Sequence, residues 1–120
     1  MISDGLIVVA KRDCPTCVLV EDVFKQLQQS DAEVEIVSQD DPNFPTNVET
    51  VVDDRELEHS FRLGIEIVPT MLRMEGGREV ERTFGWHRGD WESLSGLSDL
   101  GPGLPDYKPG CGSRNTEPGV

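Results

Sequence analysis

Two cysteines separated by two residues, Cys14 and Cys17, are the side chains of this 120-residue chain best suited to chemistry. Pro15 and Thr16 stand between them, and an apolar segment, residues 6–10, precedes them. A dithiol between a strand and a helix favours thiol–disulfide exchange, because backbone N–H groups and the helix dipole stabilise a thiolate at a helix N-terminus. We therefore predict Cys14 as the nucleophile at the helix N-cap, with Pro15 in the first helical position. Cys17, one turn further along, is predicted to resolve a mixed disulfide.

Two other roles of the cysteine pair remain open at this point. A zinc site would need further ligands, and Cys111, His59 and His87 offer no spacing that matches a zinc template. Inert packing is the second alternative, since a buried free cysteine behaves as a small apolar residue. We predict no metal site and no cofactor, because the chain also carries no flavin or nicotinamide fingerprint.

Hydrophobic patterning places the dithiol in an α/β domain. We predict a four-stranded mixed sheet flanked by about three helices. A strand–helix–strand crossover makes the first two strands parallel, and a turn at Gly76-Gly77 makes the last two antiparallel. The predicted strands are residues 6–10, 34–38, 71–74 and 78–84; the predicted helices are residues 15–29, residues 51–62 and a last helix capped by Asp90.

Composition divides the chain at about residue 98. Residues 1–98 form the predicted domain, and residues 99–120 are an irregular tail rich in Pro and Gly, either flexible or laid along the domain surface. We expect no regular structure in this tail. It carries Cys111 between two glycines, which is either an exposed thiol or a third redox thiol that exchanges with Cys14 or with a partner protein.

A formal net charge of −12 disfavours nucleic acid and membranes as partners. The acidic surface either maintains solubility or steers a basic protein partner. We see no signal peptide and no apolar run of membrane-spanning length, so we expect a cytoplasmic monomer. In a reducing compartment, three cysteines are not expected to be structural cross-links.

The stretch Cys14-Pro15-Thr16-Cys17 and residues 64–70 (Gly-Ile-Glu-Ile-Val-Pro-Thr) together resemble the thioredoxin superfamily, over roughly residues 5–95. The resemblance implies a thioredoxin-like fold and a cis Val68–Pro69 bond. Pro69 would lie against the dithiol and leave the backbone of Val68 exposed for pairing with a substrate chain. The substrate-binding residues implied in this way are Pro15, Thr16, Val68, Pro69, Thr70 and Gly85. From their positions after Gly85, we predict Trp86 as an apolar contact for partner chains and His87 as an auxiliary residue that tunes or accepts protons. Cys111, on the tail, is the other auxiliary candidate.

Two positions depart from the thioredoxin pattern. Asp13 stands where thioredoxins have a tryptophan, and Val8 stands where they bury a carboxylate. We therefore expect a dedicated partner of one or a few proteins rather than a general thioredoxin. Its expected activity is the reduction or exchange of protein disulfides, with electrons from a separate reductase or small thiol. The alternative is a non-catalytic binding module or accessory subunit built on the same fold.

Overall fold

A mixed five-stranded sheet lies at the centre of the fold in the computed structural model, which describes residues 2–116. The strands are β1 (Gly5–Ala10), β2 (Val34–Ser38), β3 (Val52–Asp53), β4 (Ile67–Val68), β5 (Thr70–Glu75), β6 (Arg78–Phe84), β7 (Trp86–His87), β8 (Tyr107–Lys108) and β9 (Cys111–Gly112). The helices are α1 (Pro15–Leu19), α2 (Glu21–Gln29), α3 (Glu58–Leu63) and α4 (Arg88–Ser95), followed by a short 3₁₀ turn at Arg114–Thr116.

The central sheet has the strand order β3-β2-β1-β5-β6. β1 pairs in parallel with β2 and antiparallel with β5, and β5 and β6 form the predicted antiparallel hairpin. The prediction of four strands is wrong, because β3 adds a fifth strand beside β2, with Val52 opposite Val37. β3 has only two residues, which is too short to produce an alternating pattern, and it lies where we predicted the start of a helix.

The helices also differ from the predicted three. The first one is interrupted at Val20 (φ −98°, ψ 18°), which divides it into α1 and α2.

α3 begins only at Glu58, after Leu57 in a left-handed conformation (φ 63°). The carboxylate of Asp54 accepts hydrogen bonds from the backbone N–H groups of His59 and Ser60, in the first turn of α3, at 2.9 Å each. α4 begins at Arg88 with His87 as N-cap, so the predicted cap at Asp90 is wrong.

The core lies on both faces of β1, whose residues 6–10 are all buried. Burial on both faces explains why this strand has a continuous apolar sequence rather than an alternating one. On one side an aromatic cluster joins α2 to α4: Trp91 lies 6.2 Å from Phe24 and 5.5 Å from Trp86 between ring centroids. The dithiol at the start of α1 therefore follows, after a three-residue turn, a strand that is buried on both faces.

The tail lies along the domain and contains short strands as far as it is described. β8 pairs with β7, and β9 pairs with β4. The expectation of a tail without regular structure is therefore wrong for residues 99–116, and residues 117–120 lie outside the described residues. The boundary at residue 98 stays a prediction. None of the described helices is long and apolar enough to cross a bilayer.

Candidate functional site

Cys14 occupies the N-cap of α1, as the sequence predicts. Its backbone is extended (φ −159°, ψ 105°), and Pro15 opens the helix. The Sγ atom accepts a hydrogen bond from the backbone N–H of Cys17 at 3.2 Å. A sulfur atom in this position uses an N–H group that the helix itself leaves unpaired, and the interaction is stronger for a thiolate than for a thiol.

The two thiols of the pair have opposite electrostatic environments. The pKa of Cys14 is lowered to about 6, mainly by the hydrogen bond from the Cys17 thiol, which outweighs the opposing effect of burial. Hydrogen bonds from the Cys111 thiol and from the N–H groups of Cys17 and Thr16 contribute in the same direction. Burial strongly raises the pKa of Cys17, and the neighbouring Cys14 raises it further. At neutral pH this arrangement provides one thiolate, on Cys14, and one thiol that donates to it.

Val68 lies against the dithiol. Its carbonyl oxygen lies 3.7 Å from Cys14 Sγ, and the following peptide bond, to Pro69, is cis. Thr70 is buried at the start of β5, where its hydroxyl donates to the carbonyl of Ile67 at 2.5 Å. The structure thus brings the second stretch of the sequence motif against the first.

Cys111 is the third thiol of the site. In β9 it is the pairing partner of Val68, whose carbonyl oxygen lies 3.7 Å from Cys14 Sγ. Burial and the adjacent Cys14 raise the pKa of Cys111. The three cysteines of the chain are all free and lie in one cluster, whereas the sequence left the place of Cys111 open between an exposed position and a redox role.

Thr16 and Gly85 attach the tail to the site rather than lining an open groove. The hydroxyl of Thr16 donates to the carbonyl of Pro109 at 2.6 Å. Gly85 donates its N–H to the carbonyl of Pro69 at 2.8 Å and has a positive φ of 62°. A Cβ atom on Gly85 would lie 2.9 Å from the backbone nitrogen of Gly110, so the close approach of these two segments requires glycine.

Trp86 and His87 are not placed together at the thiols. Trp86 is fully buried, and its indole N–H donates to the carbonyl of Pro105 at 2.7 Å. His87 is exposed; its Nδ1 lies 3.6 Å from a carboxylate oxygen of Asp90, and its ring contacts that of Tyr107. The substrate contact predicted for Trp86 and the proton role predicted for His87 stay predictions without a contact to the dithiol in their support.

Gln39 is a site residue that sequence reasoning missed. It is buried directly after β2, and its side-chain amide donates to the hydroxyls of Ser60 and Ser113 at 2.8 and 2.6 Å. Its carbonyl oxygen Oε1 accepts from the backbone N–H of Arg114 at 3.0 Å. Gln39 therefore fixes the residues that follow β9. The sequence signal for Gln39 was its position as a polar residue immediately after a buried strand. A polar residue in that position usually begins a loop, so it did not mark Gln39 as a buried contact.

Within residues 2–116, no group of three or more His, Cys, Asp and Glu side chains is arranged to hold a metal ion. Comparisons with protein-family models, with curated proteins and with solved structures find no match for the chain. The geometry of the site is therefore the basis for an argument about function.

Proposed function

We propose that this protein is a thiol–disulfide oxidoreductase of the thioredoxin superfamily that reduces, or exchanges, disulfides of a protein partner. The observation that carries the proposal is the asymmetry of the dithiol. Cys14, at a helix N-terminus, has a pKa lowered to about 6, whereas Cys17 is buried and kept protonated. Such an asymmetry suits a nucleophile and a resolving thiol.

The proposed exchange has two steps. The Cys14 thiolate attacks one sulfur of the partner disulfide, forms a mixed disulfide and releases the other sulfur as a thiolate, which takes up a proton. Cys17 then loses its proton to solvent and attacks Cys14 Sγ, so that a Cys14–Cys17 disulfide forms and the second partner thiolate leaves. The partner gains two electrons, and the dithiol loses two.

The order of elements supports the superfamily assignment. The dithiol follows β1, which is parallel to β2, and the antiparallel β5–β6 hairpin follows Val68 and Pro69, as the resemblance implies. A protein partner is supported by two exposed apolar side chains of α1, Val18 at 48% and Leu19 at 38% exposure. Side chains of this kind next to a reactive thiol suit contact with another protein. We propose reduction in the cytoplasm, with electrons from a separate reductase or thiol.

Insulin reduction by dithiothreitol tests this function. We expect the wild-type protein to accelerate the precipitation of insulin chains, and Cys14→Ser to abolish the acceleration. In the double variant Cys17→Ser, Cys111→Ser, Cys14 is the remaining cysteine of the chain. The first step survives there, so a mixed disulfide with insulin should accumulate and turnover should be lost. A wild-type protein with intact circular dichroism that does not accelerate the reaction would contradict the proposal.

A non-catalytic binding module is the second candidate, and one observation favours it. Cys14 is only 1% exposed, and the backbone edge of Val68 is already occupied by β9. A module would use the covered dithiol as a structural element. The insulin assay separates the two functions, because a module has no turnover to lose in Cys14→Ser.

A further inference from the structure

The tail segment of residues 107–113, here called the strap, fills the place beside the dithiol where a substrate chain would lie. β9 pairs antiparallel with β4, so that Cys111 is opposite Val68 and Gly112 is opposite Ile67. Beyond it, the N–H of Ser113 donates to the carbonyl of Glu66 at 2.9 Å. A partner chain that pairs with Val68 must displace this strand.

The fit between the strap and the domain is close. A Cβ atom on Gly110 would lie 2.5 Å from the carbonyl oxygen of Val68 and 2.5 Å from a methyl carbon of Ile67. One residue earlier, the carbonyl of Pro109 accepts the hydrogen bond from Thr16, in the middle of the dithiol motif. Only glycine allows the backbone on the N-terminal side of Cys111 to approach so closely.

The strap also determines which thiol faces solvent. Cys14 and Cys17 are fully buried in the closed structure, whereas Cys111 is half-buried. Cys111 is opposite Val68 in the strand pair, and the carbonyl oxygen of Val68 lies 3.7 Å from Cys14 Sγ. Cys14 therefore has two potential exchange partners, Cys17 in its own helix and Cys111 in the strap.

Resting on the function proposed above, we propose that Cys111 is a second resolving thiol: as the strap re-pairs with β4, Cys111 attacks the mixed disulfide on Cys14 and expels the partner. Strand pairing and chemistry are then coupled, because the same movement that removes a partner chain from Val68 brings the Cys111 sulfur back to Cys14. Release of the partner would not depend on the deeply buried Cys17 alone.

In this route Cys111 loses its proton to solvent and attacks Cys14 Sγ, the bond between Cys14 and the partner breaks, and the partner leaves as a thiolate. The product is a Cys14–Cys111 disulfide. Cys17 then loses its proton to solvent and attacks Cys14 Sγ. The Cys14–Cys111 bond breaks as Cys14–Cys17 forms, and Cys111 leaves as a thiolate that takes up a proton. No oxidant other than the partner disulfide is needed, since this last exchange moves the disulfide within the chain.

The test uses the reduced full-length Cys17→Ser variant and one equivalent of an aromatic disulfide, 5,5′-dithiobis(2-nitrobenzoic acid). Cys14 should form a mixed disulfide and Cys111 should resolve it, with release of about two thiolates per equivalent of reagent. Mass spectrometry should show a protein lighter by two hydrogens, with a Cys14–Cys111 link in its peptide map. The matched control, Cys17→Ser with Cys111→Ser, should release about one thiolate and retain the aromatic adduct.

The possible results separate this inference from the proposed function. A stable adduct with about one thiolate released in Cys17→Ser overturns the role of Cys111. The function is judged on Cys111→Ser alone, in which Cys14 and Cys17 are intact. Release of about two thiolates there supports the dithiol, and a stable adduct or no reaction contradicts it.

Discussion

The dithiol region, residues 5–38, and the tail, residues 99–116, meet at Cys14 but are stabilised in different ways. The dithiol region is built on a strand buried on both faces and a helix that presents Val23, Phe24 and Leu27 to the core. About half of the described tail residues are exposed, and Leu100 is the buried apolar anchor of the tail. The dithiol region therefore depends on apolar burial, and the tail depends mainly on hydrogen bonds to the domain.

Arg88 is the main support of the tail's first half. Its guanidinium donates to the carbonyls of Leu100, Gly101 and Leu104 at 2.9, 2.7 and 2.7 Å, and it also pairs with Asp106. Hydrogen bonds of this kind contribute less net stability each than a buried aromatic ring, and they open locally. The apolar core of the dithiol region therefore positions the nucleophile, and the hydrogen-bonded tail, which opens more easily, covers it.

The largest expected effect is in the core of the dithiol region. Phe24→Ala removes a fully buried ring that packs against Trp91, and the free energy of unfolding in urea should fall by about 3–5 kcal/mol. Phe61→Ala is the matched control, since Phe61 is 79% exposed and its loss should change this free energy by less than about 0.5 kcal/mol. Equal effects of the two substitutions would refute the assignment of the core.

Arg88→Ala should act on the tail rather than on the sheet. Its loss leaves three carbonyl groups without this partner, so we expect a local destabilisation of about 1–3 kcal/mol and faster proteolytic cleavage at residues 99–108. Arg55→Ala is the control, because Arg55 makes an exposed pair with Asp53 and a solvent-screened pair of this kind adds little to stability. If both variants are cleaved at the wild-type rate, Arg88 does not hold the tail.

Gly110→Ala should separate the strap from β4 without unfolding the domain. The added methyl group clashes with Val68 at a cost of about 1–3 kcal/mol, which corresponds to an increase of roughly 5- to 150-fold in the alkylation rate of Cys14. Gly89→Ala in α4 is the control, because a Cβ atom there has only a contact at 3.9 Å. An unchanged rate in Gly110→Ala would show that the strap does not limit access to Cys14.

The smallest expected effect concerns the acidity of Cys14. Its rate of alkylation by iodoacetamide should rise with pH through an inflection near 6 and level off above it, because the thiolate is the reactive form and its pKa is lowered. In Cys111→Ala one of the hydrogen bonds that stabilise the thiolate is lost, so the inflection should move to higher pH. Cys111→Ser, which keeps a donor, should move it less. An inflection near 8.5 in the wild type, the value of an unperturbed cysteine, would remove the electrostatic argument for Cys14.

The sequence was informative where structure depends on apolar patterning. The predicted strands at residues 34–38 and 78–84 are confirmed with the same bounds, and the N-cap position of Cys14 with Pro15 after it is confirmed as well. Each of these features depends on neighbouring residues: a run of β-branched side chains, a Gly-Gly turn or a proline that fits the first turn of a helix.

The parts that sequence analysis missed depend on contacts between distant residues. β3, β8 and β9 have two residues each and exist because a neighbouring strand pairs with them. The position of the strap depends on Gln39, 74 residues before Ser113. No periodicity reports contacts of this kind, so the covering of the dithiol by the tail was not predictable from the residues alone.

Titration of the wild-type protein against glutathione redox buffers, with a maleimide to label free thiols, measures the redox behaviour of the dithiol. We expect a reversible two-electron transition in which Cys14 and Cys17 lose their reactivity together, with a midpoint at or below about −220 mV. A midpoint near about −120 mV would make the protein an oxidant and contradict the proposed direction. Thiols that stay free across the whole range of buffers would contradict the redox function itself.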